Sequence, residues 1–88
     1  MRTSKKTRPY EALRRLMAAE RVTSHEIVDA WNEYSGASMG YSYFSEILNG
    51  KRQFKLDFCY FILDYLETPH EQFSEYFPKG GYAHERSA

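Results

Sequence analysis

The chain has 88 residues, which is enough for one domain with a modest core but too few to enclose a deep pocket. Hydrophobic residues make up 42% of it and charged residues 27%, as in ordinary globular domains, and aromatic residues make up 17%. The formal net charge is zero, so the charge balance alone does not favour nucleic acid as a partner.

The charges are unevenly distributed along the chain. Residues 1–22 carry seven Lys or Arg against two Glu, and residues 51–55 carry three basic residues and no acid. Residues 56–78 carry five acidic residues and no Lys or Arg. We therefore expect a domain with a basic end and an acidic end. Such a domain can hold phosphates on one face and a different partner, or a second copy, on another.

The first helix is predicted over about residues 9–20, after a basic, flexible arm at residues 1–8. Pro9 suits the first turn of that helix, where its missing N–H is not needed. The arm lacks the apolar stretch of a signal peptide, and no apolar run approaches the length of a membrane span. These features predict a cytoplasmic protein without a membrane segment.

The second helix is predicted to begin at a capping box, Thr23-Ser-His-Glu26, and to end at Gly36 in a left-handed cap. Its apolar stripe consists of Ile27, Val28, Trp31 and Tyr34. A turn at residues 37–40 leads to a third helix with Phe44, Ile47 and Leu48 facing inward and Asn49-Gly50 closing it.

The remaining elements follow a basic loop at residues 51–55. A fourth helix is predicted over about residues 56–66. Thr68 and Glu71 suggest a second capping box, with Pro69 at the first position of a fifth helix that ends at Pro78. No segment shows a convincing alternation of apolar and polar residues, so no strand is predicted. Residues 79–88 are predicted to form a flexible tail. The sequence therefore predicts an all-α, compact five-helix bundle over residues 9–78.

Three runs of this sequence resemble one family. They are Thr23-Ser-His-Glu-Ile27, Phe44-Ser-Glu-Ile-Leu-Asn-Gly-Lys-Arg52, and Ile62-Leu-Asp-Tyr-Leu66 followed by Phe73. In this layout the chain is similar to the Cro/C1-type (XRE-like) helix-turn-helix regulators of phages and bacteria, over about residues 10–77. The resemblance implies a lambda-repressor-like DNA-binding domain, with the second and third helices as the helix-turn-helix.

One stretch departs from the family layout. Between the Glu26-Ile27 pair and the Asn49-Gly50 pair the chain is about six residues longer than the usual family spacing, and the extra residues lie within residues 32–38. Either the second helix runs about one turn longer, or the turn is a loop. Both possibilities tilt or shift the third helix relative to DNA.

The resemblance places base-reading positions on the third helix: Tyr41 and Ser42 first, then Tyr43 and Glu46. An α-helix fits the major groove, and its N-terminal side chains reach base edges. The carboxylate of Glu46 can accept from the amino group of cytosine. In a second interpretation the tyrosines pack against neighbours or a partner protein, while Glu46 is solvated or repels phosphates.

The resemblance also places phosphate contacts at Ser24, Gly40, Asn49, Lys51, Arg52 and Lys55. The basic side chains neutralise phosphates and make binding salt-dependent, and the start of the second helix can hold a phosphate at its N–H groups. Asn49-Gly50 also serves as a helix cap, and the basic loop has a second interpretation as simply solvated.

No catalytic or metal site is predicted. Cys59 lies in an apolar stretch and cannot form an internal disulfide, so a buried structural thiol is expected. His25, His70 and His84 lack metal-ligand spacing, and no phosphate loop or nucleophile motif is present. We expect a protein that is not an enzyme and has no cofactor.

The predicted function is sequence-specific transcriptional regulation of the repressor type, by a homodimer on double-stranded DNA. The aromatic C-terminal residues are the candidate dimer or partner surface: Phe73, Tyr76, Phe77 and Tyr82. The alternative is a protein-binding module on the same fold, an antirepressor or antitoxin-like partner that does not read DNA. The neutral charge, Glu46 and the longer connection favour the alternative, whereas the basic segments and Ser42 favour DNA.

Overall fold

A computed structural model describes residues 9–78 and 82–83. Its α-helices are α1 (Glu11–Glu20), α2 (Ser24–Ser35), α3 (Tyr41–Leu48), α4 (Leu56–Tyr65) and α5 (Phe73–Tyr76), with a 3-10 turn at His70–Gln72. The described chain is therefore mostly helical, with five α-helices, as predicted. The predicted arm at residues 1–8 lies outside the described residues, as does most of the predicted tail.

Two short strands were not predicted. They are β1 (Phe54–Lys55) and β2 (Tyr82–Ala83), which pair in parallel with Phe54 opposite Tyr82. Strands of two residues are too short to show the alternation by which a sequence indicates a strand. In β1, Phe54 is fully buried while Lys55 is exposed, so the strand fixes the direction of both side chains at the start of α4.

The first helix begins later than predicted. Pro9 lies in a turn ahead of α1, and Tyr10 is the N-cap, with a left-handed backbone (φ 57°). The ring of Tyr10 packs edge-on against Phe54, with centroids 5.0 Å apart, and Arg14 Nε donates to the carbonyl of Pro9 at 2.9 Å. These tertiary contacts hold the turn in place of the proline-initiated helix that local sequence favours.

The predicted ends of α2 are confirmed. Thr23 Oγ1 accepts from the N–H of Glu26 at 3.1 Å, which satisfies one of the unpaired donors of the first turn. At the other end Gly36 has φ 79° and donates its N–H to the carbonyl of Asn32 at 2.8 Å. The carboxylate of Glu26 accepts from the hydroxyl of Tyr65 at 2.9 Å, so the residue of the predicted capping box also ties α2 to α4.

The second predicted capping box is wrong. Glu67 adopts a left-handed backbone (φ 55°), and the N–H of Thr68 donates to the carbonyl of Leu63 at 2.8 Å. This is the closing pattern of a helix C-terminus, so Thr68 belongs to the turn that caps the end of α4, and its hydroxyl donates to the carbonyl of Leu66. The next segment starts as a 3-10 turn with Pro69 as its cap.

The core lies between the helices and is rich in rings. Its buried members are Leu13, Met17, Ile27, Val28, Trp31, Phe44, Ile47, Leu48, Phe54, Phe58, Cys59, Ile62, Leu63, Leu66 and Phe77. Phe58 contacts Trp31 and Phe44, with ring centroids 4.9 and 5.4 Å apart, so α4 joins α2 and α3 through one side chain.

Two aromatic residues have burial opposite to the prediction: one that was expected at the surface is buried, and one that was expected in an apolar stripe is exposed. Phe77, expected on a C-terminal partner surface, is fully buried and packs edge-on against Phe54 at 5.0 Å, while Phe73 and Tyr76 are half-buried beside it. Tyr34, expected in the apolar stripe of α2, is 74% exposed. The side chain of Tyr82 lies outside the described residues. Within the described chain, no helix has both the length and the apolar character needed to cross a membrane.

Candidate nucleic-acid interface

A loop connects α2 to α3. α2 runs for 12 residues, and residues 36–40 then form a loop. The amide of Asn32 clamps this loop, because its Nδ2 donates to the carbonyl of Met39 at 3.0 Å and its Oδ1 accepts from the N–H of Met39 at 2.8 Å. This paired contact sets the position at which α3 starts.

The third helix has one buried face and one exposed face. Phe44, Ile47 and Leu48 are buried, as predicted, and Gly40 is the N-cap. The exposed residues are Tyr41, Ser42, Tyr43 and Ser45, with Glu46 half-buried. Three of the four predicted base-reading residues, Tyr41, Ser42 and Tyr43, therefore point outward, on a helix held against α2 by its apolar side.

Tyr41 is held by α2. Its hydroxyl donates to Asp29 Oδ1 at 2.8 Å, and its ring stacks on His25 with centroids 3.9 Å apart. The bond to the Asp29 carboxylate raises the pKa of the Tyr41 phenol, since the bond stabilises the protonated form. The ring is 46% exposed, so Tyr41 presents ring surface to solvent while its hydroxyl is engaged within the domain. The predicted packing of Tyr41 against a neighbour is thus observed.

Three of the predicted contact residues form a cluster of their own. Arg52 Nε lies 2.6 Å from Glu46 Oε1, and the guanidinium carbon lies 4.7 Å from the ring centroid of Tyr43. The Glu46 carboxylate raises the pKa of Arg52. Because this pair is half-exposed, a competing anion can displace Glu46 at small cost. Glu46 thus lowers the net positive charge at the end of α3.

The end of α3 is fastened by a residue that the sequence analysis did not single out. Arg14 Nη2 donates to the carbonyl of Leu48 at 2.7 Å and to Asn49 Oδ1 at 3.0 Å. Gly50 follows with φ 81°, which confirms Asn49-Gly50 as the end of the helix. Arg14 is 34 residues from Leu48, and no local pattern in the sequence links the two positions.

The other predicted phosphate contacts lie at exposed or half-buried positions. Lys51 and Lys55 are exposed, before and at the end of β1. Ser24 is the first residue of α2 and is half-buried, while Gly40 precedes α3 and is exposed. Ser24 and Gly40 therefore lie at helix N-termini, where backbone N–H groups lack intrahelical partners. Such N–H groups favour the binding of anions.

Cys59 is fully buried, and this burial, with the nearby charge of Asp57, raises the pKa of its thiol to about 12. A groove of about 280 Å³ lies between the loop and β1, with Trp31, Ile47 and Phe58 in its lining. Across residues 9–78, no group of three or more His, Cys, Asp or Glu is arranged to hold a metal ion.

No family model, curated protein or solved structure matches this chain.

Proposed function

We propose that this domain binds double-stranded DNA as a sequence-specific transcriptional regulator of the repressor type. In this proposal α3 enters the major groove and the basic residues that follow it contact phosphates. The observation that carries the proposal is the exposed face of α3, with Tyr41, Ser42 and Tyr43 at its N-terminal turn. Side chains on the first turn of a helix in the major groove are those that reach base edges.

The electrostatics of this face make binding depend on a few residues. Neither α2 nor α3 contains a Lys or Arg. Attraction of phosphates near α3 therefore rests on basic residues outside these two helices: Lys51, Arg52 and Lys55 after α3, and Arg14, which is hydrogen-bonded to the end of α3. Arg52 exchanges its Glu46 partner for a phosphate when DNA binds, because exposed ion pairs are worth only about 0–1 kcal/mol.

Dimerisation is part of the proposal. A single small module buries little DNA surface, whereas two copies on adjacent half-sites multiply both affinity and specificity. The function then corresponds to a cytoplasmic regulator without a cofactor, whose control comes from its concentration or from a partner.

A second candidate function is a protein-binding module on the same fold. Two observations favour it: the hydroxyl of Tyr41 is already bound to Asp29, and Glu46 already neutralises Arg52. A protein partner would meet a tyrosine ring that is already held in place and an arginine whose charge is already paired.

Fluorescence anisotropy with random-sequence duplex DNA at several salt concentrations tests the proposal. We expect wild-type protein to bind at low salt, and the Lys51→Ala/Arg52→Ala variant to show a log–log salt slope shallower by about 1.8, since each phosphate contact contributes about 0.9. The matched control is Arg15→Ala/Arg21→Ala, which removes the same charge from exposed positions in and just after α1.

Two results would contradict DNA binding at this face. One is the absence of salt-sensitive binding by wild-type protein even at low salt. The other is an equal loss of slope in the control variant, which would indicate a diffuse charge effect. Either result favours the protein-binding candidate.

A further inference from the structure

A continuous row of rings crosses from α2 to α4, buried at Trp31 and open to solvent at Tyr34. The aromatic row consists of Trp31 and Tyr34 on α2 and Phe61 and Tyr65 on α4. Ring centroids lie 5.2 Å apart for Trp31 and Phe61, 5.1 Å for Tyr34 and Phe61, and 5.9 Å for Phe61 and Tyr65. The hydroxyl of Tyr65 donates to Glu26 on α2 at 2.9 Å, so the last ring is held in place.

The row is open to solvent along a shallow groove of about 630 Å³. Tyr34 is 74% exposed, and Tyr60, which also lines the groove, is 39% exposed. The face of an aromatic ring carries the negative part of its quadrupole. Such faces attract cations.

Carboxylates flank the rings. Asp57 and Asp64 line the groove, and with Phe61 they lie on one face of α4 at spacings of four and three residues. Neither α2 nor α4 contains a Lys or Arg, and the carboxylate of Glu26 on α2 contacts the row through the hydroxyl of Tyr65. His70 Nε2 lies 2.7 Å from Asp64 Oδ1 at the far end of α4, and it adds positive charge only when protonated. The surface is therefore both aromatic and anionic.

We propose that the aromatic row is the docking site for a basic segment of a partner protein, whose Lys or Arg side chains lie on the rings and against Asp57 and Asp64. Charge complementarity selects this occupant. Nucleic acid and anionic membrane are repelled by the carboxylates, and the same face of a second copy brings like charges together. A purely apolar partner would bury the carboxylates without counter-charges. The proposal stands independently of DNA binding by α3.

A synthetic 12-residue peptide of alternating Arg and Leu is the probe, with a peptide of alternating Glu and Leu as its counterpart. Anisotropy of the labelled peptide gives the affinity, and the fluorescence of Trp31, the single tryptophan of the chain, reports the location. We expect the arginine peptide to bind saturably and change the Trp31 emission, and the glutamate peptide to do neither.

Two variants and a matched control locate the site. Tyr34→Ala and Asp57→Asn/Asp64→Asn are each expected to weaken binding of the arginine peptide at least fivefold. Glu71→Gln/Glu75→Gln removes the same charge from exposed positions outside the groove, and its affinity is expected to stay within twofold of wild type. Thermal unfolding checks that each variant is folded, and the exposed ring of Tyr34 makes its removal compatible with an intact core.

Three outcomes would overturn the proposal. In the first, the control variant loses as much affinity as Asp57→Asn/Asp64→Asn, so that net charge alone explains the binding. In the second, Tyr34→Ala binds the peptide as well as wild type. In the third, wild-type protein sediments as a dimer and Tyr34→Ala as a monomer, which would make a second copy the occupant.

Discussion

Two exposed surfaces of this domain carry tyrosine rings, and they differ in what holds the rings. On α3, Tyr41 is bound to Asp29 and Tyr43 lies under the guanidinium of Arg52. In the aromatic row the rings pack on one another, and Tyr34 is 74% exposed with carboxylates nearby. On α3 the tyrosines are therefore held by contacts with charged side chains. In the aromatic row the exposed rings themselves form the surface.

The largest expected effect comes from the side chain that both surfaces share. Phe58 is fully buried and contacts Trp31, the buried member of the aromatic row, and Phe44 on the buried side of α3. We expect Phe58→Ala to lower the free energy of unfolding by about 3–5 kcal/mol, through lost burial and the cavity left behind. Urea unfolding followed by Trp31 fluorescence measures it.

A matched control for this change is Phe58→Leu, which retains most of the buried volume and should cost markedly less. If Phe58→Ala abolished DNA binding while the folded domain still bound the arginine peptide normally, the two surfaces would not depend on a common core.

The next effect separates the two surfaces. Asn32→Ala removes both hydrogen bonds to Met39 and leaves partly buried backbone groups without that partner. We expect a loss of about 1–3 kcal/mol of stability and a larger fractional loss of DNA affinity than of peptide affinity, since the clamp positions α3. Glu33→Ala, at the exposed neighbouring position, should change stability by less than about 0.5 kcal/mol. Equal losses at both surfaces would show that the clamp acts on the whole domain.

A smaller change is expected from releasing Arg52. Glu46→Gln removes the carboxylate at 2.6 Å and leaves the guanidinium over Tyr43. If α3 binds DNA, affinity should rise about three- to tenfold at low salt, while stability changes by less than about 0.5 kcal/mol. Glu20→Gln at an exposed position of α1 is the control for net charge. A fall in DNA affinity in Glu46→Gln would instead indicate that Glu46 contacts a base.

The smallest effect concerns the proton of Tyr41. Its pKa is raised by the bond to Asp29, so Asp29→Asn should lower the pKa of Tyr41 towards its ordinary value of 10.0. Because the pKa is raised in the folded state, the stability gained from this bond is complete below about pH 10 and is lost as the pH rises through the raised pKa. Ring resonances followed by NMR against pH measure this.

Tyr65, whose pKa is raised mainly by its bond to Glu26, serves as the internal control and should not respond to Asp29→Asn. A shift of the Tyr65 pKa in that variant would mean that the effect is a general change in surface charge. It would then not report the hydrogen bond of Tyr41.

Local chemistry made several features predictable. Thr23 and Gly36 mark the ends of α2 because their hydrogen bonds close within four residues, and Phe44 and Ile47 face inward because apolar periodicity defines one side of a helix. The exposed face of α3 follows from the same periodicity, which places Tyr41 and Ser42 on it. Periodicity does not show what these residues bind, so their contact with DNA stays a prediction.

Non-local contacts account for what the sequence missed. The sequence placed Tyr34 in the apolar stripe of α2 and Phe77 on a partner surface, yet packing puts Phe77 beside Phe54 and leaves Tyr34 outside. Arg14 reaches the end of α3 across 34 residues, and β1 pairs with residues 82–83, so neither contact leaves a local pattern. The sequence by itself determined the five helices, the two ends of α2 and the buried face of α3, because those depend on neighbours a few residues apart. Only the tertiary structure decided which rings and charges meet on the surface, because that depends on how the helices pack.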